Sequence, residues 1–318
     1  MRIRLGYVAM ALRLEDCSPS KTVTLKNINK IPEYQDQLGR LTRISRENLA
    51  NTLRVLKANY YDGIMFYRFT SRLIPLCTHP QFLAWDYRTA LAEEFKAIGD
   101  FVKEHEMRVG LHPDHFTLLN SPNPEVQESS QRDLKYHLNI LEAMGLGISA
   151  KLVIHVGGKY QDRSLAIKRF IEQFNALPGN VSERLILEND DRCFTAAEVL
   201  RLSREIKVPM VLDIHHHQIL NNGEELSDLL PEIFATWGDE IPKVHLSSPR
   251  SDKDLRSHAD YIKTDTVIEF LKLARKLGQD FDIMLEAKQK DLALLKLVND
   301  LRGLGFNLPT NGEIIIEG

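Results

Sequence analysis

The chain has 318 residues, 43% hydrophobic and 27% charged, with a formal net charge of −3. That length and apolar share can fill one large core, and the charge balance excludes a generally basic nucleic-acid coat, so contact with DNA would need a local basic patch or bound cations. Cys17, Cys77 and Cys193 are odd in number and far apart, which excludes a disulfide framework and a thiolate zinc site and suits a reducing compartment. No apolar run approaches the ~20 residues of a membrane span, and MRIRLGYVAM lacks the apolar core of a secretory signal. A soluble cytoplasmic protein is expected.

Short β-branched runs predict strands at 3–9, 63–69, 107–113, 151–158, 184–190, 209–215, 243–249 and 282–288. Longer amphipathic stretches lie between them. One opens at SRENLANTLRVLKANY, with Ser45 and Asn48 placed as N-cap and first turn, and another runs from Thr264 to a stop at Gly278. Eight strands each followed by a helix predict an α/β protein, a single (β/α)8 TIM barrel over residues 1–306 with a short C-terminal tail over 307–318. A doubly wound open sheet is the alternative. No strand-turn stretch carries a Gly-rich dinucleotide fingerprint or a P-loop, so no nucleotide cofactor is expected.

Ligand-type residues fall at the carboxyl ends of these strands. His112 ends the third, His155 lies near the end of the fourth, Glu188 ends the fifth, Asp213 to His217 end the sixth, His245 is in the seventh and Glu286 ends the eighth. In a barrel those ends converge on the face that carries active sites. A lone histidine in an apolar strand is usually a hydrogen-bonded core residue, but six successive strands ending this way would gather unpaired polar groups at a large desolvation cost unless cations bind them. Imidazoles and carboxylates without thiolate suit Zn, Mn or Fe(II). A carboxylate can bridge two ions, which singles out Glu188, and paired ions make phosphoester hydrolysis the default reaction.

In this order, LCTHP, GLHPDHF, VIHVGG, LEND, LDIHHH, KVHLSS, SHAD and MLEAK resemble the UV damage endonuclease (UVDE) family, from Gly6-Tyr7 to about Lys288. The resemblance implies a barrel related in plan to endonuclease IV, two to three divalent ions, usually manganese with Zn2+, Mg2+ or Co2+ as alternatives, and nicking of damaged double-stranded DNA 5′ to pyrimidine dimers and 6-4 photoproducts. A monomer is expected. By the same resemblance His112, His155 and Glu188 hold one ion, Glu188, Asp213, His245 and Glu286 a second, and His216 with His258 a third. His215 and His217 are then packing neighbours. His79 matches a family histidine near the site, and a plain loop residue before Pro80 is the alternative.

Lys243 lies two residues before His245, so on a strand both point the same way. An ammonium there would repel cations, whereas a neutral amine can react with carbon dioxide to give a carboxylated, anionic ligand. The alternative is a side chain that leaves through the amino end of the barrel. For DNA, the stretch from Arg13 to Arg46 carries seven Lys or Arg against four acids, and Arg250, Lys253 and Arg256 follow the seventh strand. In HPDHF the family commonly has Gly-Gln-Tyr or Gly-Gln-Phe after His-Pro; here Asp114 and His115 depart from it, while Phe116 keeps an aromatic able to stack in the gap of an extruded lesion. Tyr7 is expected to contact that lesion. Two rivals remain: a metal-dependent sugar isomerase or epimerase on the same barrel, and a non-catalytic binding barrel.

Overall fold

The computed structural model describes residues 1–317. Eight parallel strands, β1 (Arg2–Val8), β2 (Phe66–Arg68), β3 (Arg108–Leu111), β4 (Lys151–His155), β5 (Leu185–Glu188), β6 (Met210–Asp213), β7 (Lys243–Leu246) and the strand Phe281–Leu285, pair in chain order, and the last closes onto β1. Helices fill every interval, giving the TIM barrel that the alternation predicts. Two further strands, β8 (Pro249–Ser251) and β9 (Asp254–His258), form an antiparallel ribbon in the loop after β7, so the closing barrel strand is β10. No helix is long and apolar enough to cross a membrane among the described residues.

Side-chain alternation sorts each strand into an inner and an outer face. Val8, Phe66 and Met284 form one small apolar cluster and Val153, Ile186, Val211 and Trp237 another, and these fill the barrel, while Ile3, Leu5 and Tyr7 belong to the large core between sheet and helices. Below the two inner clusters Asp282 accepts from Arg4 Nε at 2.7 Å and Nη2 at 2.8 Å and from Arg108 Nη1 at 2.6 Å. The Arg108 guanidinium lies 5.3 Å from the Trp237 ring centre, which helps offset the cost of a charged floor. Gly6 is required for β1 to approach β2, because a Cβ there would sit 2.5 Å from the Phe66 carbonyl oxygen.

Two local expectations are corrected. The first long helix runs over Tyr34–Tyr61, so Ser45 is no cap: it is buried inside the helix with its hydroxyl donating to the Leu41 carbonyl at 2.9 Å. Asn48 ties the preceding chain instead, donating to the carbonyls of Lys21 and Leu73 and accepting from Lys21 N. Tertiary use of buried polar groups mimics a cap signal in the sequence. The helix Thr264–Ala274 continues as a short 3-10 turn that Gly278 ends at φ +62°, as expected.

Most of the stretch expected as a tail is a strand pair, within residues 307–315. β11 (Asn307–Thr310) and β12 (Glu313–Ile315) form a hairpin, and β12 pairs antiparallel with Arg2–Arg4 of β1. The cause lies in β2, which begins opposite Gly6 and leaves the first half of β1 without a neighbour on that side. The hairpin supplies those hydrogen bonds and buries Ile314 completely.

Candidate metal centre

The register of the sheet brings the ligand-type side chains to one level. His155 pairs with Glu188 across β4–β5, and Asp213 with His245 across β6–β7. Glu188 is the hub: its Oε2 lies 2.8 Å from His112 Nε2 and 3.5 Å from His155 Nε2, and its Oε1 lies 2.5 Å from His245 Nδ1. His245 Nδ1 is also 3.2 Å from Glu286 Oε1. Three sets have ligand atoms within 4.8 Å of one another: His112, His155 and Glu188; Glu188, Asp213 and His216; Glu188, His245 and Glu286. Glu188 belongs to all three.

Asp213 and His216 meet because the chain turns helical at once. Asp213 caps the helix Ile214–Ile219, its Oδ1 accepting from His216 N at 2.8 Å, which sets the His216 ring 3.8 Å from its Oδ2. On that helix His215 and His217 point elsewhere and are buried, His215 stacking edge-on against His258 with ring centres 5.7 Å apart. His258, the last residue of β9, stands outside the three sets, its Nδ1 3.9 Å from Glu286 Oε2.

The donor set fits divalent cations. The His112 Nδ1–H donates to the Pro113 carbonyl at 2.9 Å, and the His216 Nδ1–H donates to the Asn189 carbonyl at 2.9 Å, because a carbonyl only accepts. Their Nε2 atoms are then the ones left to take an ion, and that of His112 faces a Glu188 oxygen, a contact that a cation or proton must bridge. Asp213 Oδ2 and His245 Nε2 are buried without any hydrogen-bond partner among the described residues. Burial raises the Glu188 carboxyl, but His245, His155 and the hydrogen bonds from His112 and His245 outweigh it and hold the group well below its usual range. For Asp213 burial dominates, backed by Glu188 and Glu286, and its pKa is pushed up to about 6. Burial lowers His216, yet Asp213 and Glu188 lift it to about 9.

Other expected residues lie differently. Lys243 is buried on the inner face beneath His245, its Nζ 5.9 Å from the centre of the Phe66 ring, with no acidic partner within 4.0 Å among the described residues. It does not leave through the amino end. Burial, then Arg108 and Arg68, hold its pKa well below the normal lysine value. Tyr7 is corrected: parity turns it outward, fully buried, with its hydroxyl donating to Asn59 Oδ1 at 2.6 Å in the helix Tyr34–Tyr61, so it offers nothing to a ligand on the catalytic face. His79 caps a 3-10 turn at Pro80–Phe82, accepting from Gln81 N at 3.2 Å, and belongs to none of the three ligand sets. His115 and Phe116 project from the β3 loop with ring centres 4.0 Å apart, Phe116 being 69% exposed.

Two residues were missed. Arg68, at the end of β2, forms an ion pair with Glu286, whose burial raises its pKa while Arg68 and His245 pull it far below the usual range. Asn189 clamps β6 with both amide atoms, accepting from Asp213 N and donating to Asp213 O, each at 2.9 Å. The strand-end position of Arg68 and the placement of Asn189 directly after Glu188 were the available signals.

A family model described as UV-endonuclease UvdE matches residues 3–314. The chain is 41% identical over 306 residues to the UV DNA damage endonuclease of Bacillus thuringiensis subsp. konkukian (strain 97-27), and 42% identical over the same length to that of Bacillus mycoides (strain KBAB4), covering 96% of each chain in both comparisons. The crystal structure of SacUVDE superposes with a TM-score of 0.86 at 35% identity, covering 95% of this chain and 99% of that one. Endonuclease IV from Thermus thermophilus gives 0.57 at 14% identity over 94% and 99% of the chains, and 3-keto-D-glucoside 4-epimerase from E. coli gives 0.56 at 13% over 95% and 99%. A nuclease and a sugar epimerase at nearly equal likeness show that the barrel alone does not select the chemistry. The match that spans the barrel from β1 to the C-terminal hairpin does select: this chain belongs to the UvdE family of UV-endonucleases.

Proposed function

We propose that this protein nicks duplex DNA on the 5′ side of UV photoproducts, pyrimidine dimers and 6-4 photoproducts, by phosphodiester hydrolysis at a centre of two to three divalent ions, manganese in the first place. The observation that carries this reading is the sharing of Glu188 by three ligand sets in one cavity. Divalent ions held there would stabilise the attacking and leaving oxygens of an in-line displacement at phosphorus. His112 and His155 hold one side of Glu188, Asp213 and His216 a second, and His245 and Glu286 a third. His258 joins from the ribbon.

Each residue then has a defined task. The carbonyls of Pro113 and Asn189 fix the His112 and His216 tautomers and aim their Nε2 atoms inward. Asn189 keeps Asp213 in place through its backbone. Lys243, whose burial favours the neutral amine, would add carbon dioxide at Nζ with loss of a proton, giving a carbamate anion as a further ligand. Phe116 stacks into the gap left by the extruded dimer while His115 contacts the unpaired bases. The protein works as a monomer on damaged duplex. The sugar-isomerase alternative retains only the shared barrel as support.

The test is incision by the purified protein, with and without manganese, of irradiated and unirradiated supercoiled plasmid, followed by mapping on a duplex with one defined dimer. Manganese-dependent nicking confined to damaged DNA, 5′ to the dimer, is expected. Equal nicking of both plasmids, or none, overturns the reading.

A further inference from the structure

Two cavities of unlike chemistry flank the cluster. One, of about 470 Å3, lies on the β3–β5 side between Leu118, Ile154, Gly157 and Cys193, with the carboxylates of Asp190 and Asp191 in its wall. The other, of about 440 Å3, opens on the β1–β2 side and is lined by Arg68, Arg72, Lys290, Thr70 and Ser71 together with His112 and Glu286. Pro113, Asp114 and His115 line both and stand between them.

Three cations therefore share the second cavity with two carboxylates, Glu286 and Asp114. Glu286 is already engaged by Arg68 and by His245. Lys290 is half-buried, and neither it nor Arg72 forms an ion pair within 4.0 Å among the described residues. Lys290 also holds a left-handed backbone at φ +48°, and Ala9 across the cavity does the same at φ +66°. Residues other than glycine rarely adopt that conformation.

We propose that this cavity binds a backbone phosphodiester of the incised strand next to the scissile one, with Lys290 and Arg68 as its two positioning residues. The inference rests on the endonuclease reading above and deepens it. An arginine carries five donors in a planar fork, so Arg68 keeps one edge on Glu286 and offers another to a phosphate, while Lys290 adds a point charge from the same cavity. Because Arg68 touches Glu286, and Glu286 touches His245, a phosphate held there lies one ligand away from the reacting centre. The first cavity sets Asp114, Asp190 and Asp191 beside Arg192, His155 and His216 among apolar groups, so it lacks the cationic excess of the second.

The experiment is a chemical double-mutant cycle. Single-turnover incision of a dimer duplex by the manganese-loaded protein is measured as the enzyme concentration at half-saturation, with one phosphate at a time, never the scissile one, replaced by a neutral methylphosphonate. Wild-type protein should lose about tenfold at one position beside the cut, and Lys290→Gln should lose about tenfold on the unmodified duplex but nothing further at that position. Arg68→Lys should show a partial loss there, and Lys290→Arg should restore the wild-type position dependence, which also guards against a folding defect. Equal, additive losses at every position in wild type and Lys290→Gln overturn the subsite while leaving the enzyme's function standing. Wild-type protein that does not incise the unmodified dimer duplex overturns the endonuclease reading and the subsite with it.

Discussion

Glu188 is 1% exposed in its side chain and faces three histidines, so its negative charge is compensated only inside the cluster. Glu188→Gln removes that charge from all three ligand sets at once. Incision should fall by about 10²-fold or more, the scale of losses when metal-site geometry fails, and bound metal per protein, read by elemental analysis, should fall with it. A variant with full metal content and near-normal rate would displace Glu188 from the centre. His216 gives a pH test. With its pKa lifted to about 9 in the metal-free protein, it must lose a proton to bind an ion, so manganese affinity should rise with pH, by roughly tenfold per unit for one displaced proton below pH 9. Calorimetric titrations at three pH values with unchanged affinity would contradict this. Phe116→Ala should weaken binding to dimer-containing duplex by about 1–3 kcal/mol and leave undamaged duplex nearly unchanged at the same salt, since the latter rests on phosphate contacts. The cluster was legible in the sequence because strand ends repeat one chemistry in six successive places. Tyr7 was misplaced because strand parity depends on where the sheet begins, and Arg68 was overlooked because a single arginine after aromatic residues resembles any surface charge.

At the scale of elements, the eight barrel strands were legible as short β-branched runs, though each ends before the span expected for it. GIMFYRF yields only Phe66–Arg68 as strand, because Gly63 and Ile64 are still tied to the preceding helix, their amides donating to the Tyr60 and Asn59 carbonyls. The C-terminal hairpin was missed although Asn311-Gly312, a turn pair between two extended runs, signals it. Its role is structural, which Ile314→Ala can test. Ile314 is fully buried against the barrel, so the change should cost about 2–5 kcal/mol in denaturant unfolding. Activity of the folded fraction should be unaffected, and a loss of incision without a loss of stability would mean that the hairpin reaches the site. The basic stretch from Arg13 to Arg46 reads differently once folded: Arg13 pairs with Asp62 and Asp291, Lys21 with Glu47 and Arg46 with Glu94, so three of its seven cations are already matched within the chain. The ribbon β8–β9 keeps Lys253 exposed and unpaired at its turn, but Arg250 and Arg256 face Asp254 and Asp191.

For the whole molecule, cations bound as proposed would be part of the folding equilibrium, since the ligand cluster exists only when six strands are assembled. Ions that bind the folded chain alone add about 2.7 kcal/mol of stability per site at a hundredfold excess over Kd. Chelation should therefore lower the melting temperature, and manganese should restore it; a melting curve indifferent to both would remove the cations from the centre of the barrel. The placement of β1 has a consequence for how the chain is made. Both partners of its first half, β10 and β12, are drawn from the far end of the sequence, within residues 281–315. During synthesis, Ile3 and Leu5 must wait, with two open strand edges beside them, until residues 281–315 have left the ribosome. Such long-range closure is slow and exposed to aggregation, so the late-emerging hairpin acts as the fastener of a barrel that cannot shut in the order in which it is made.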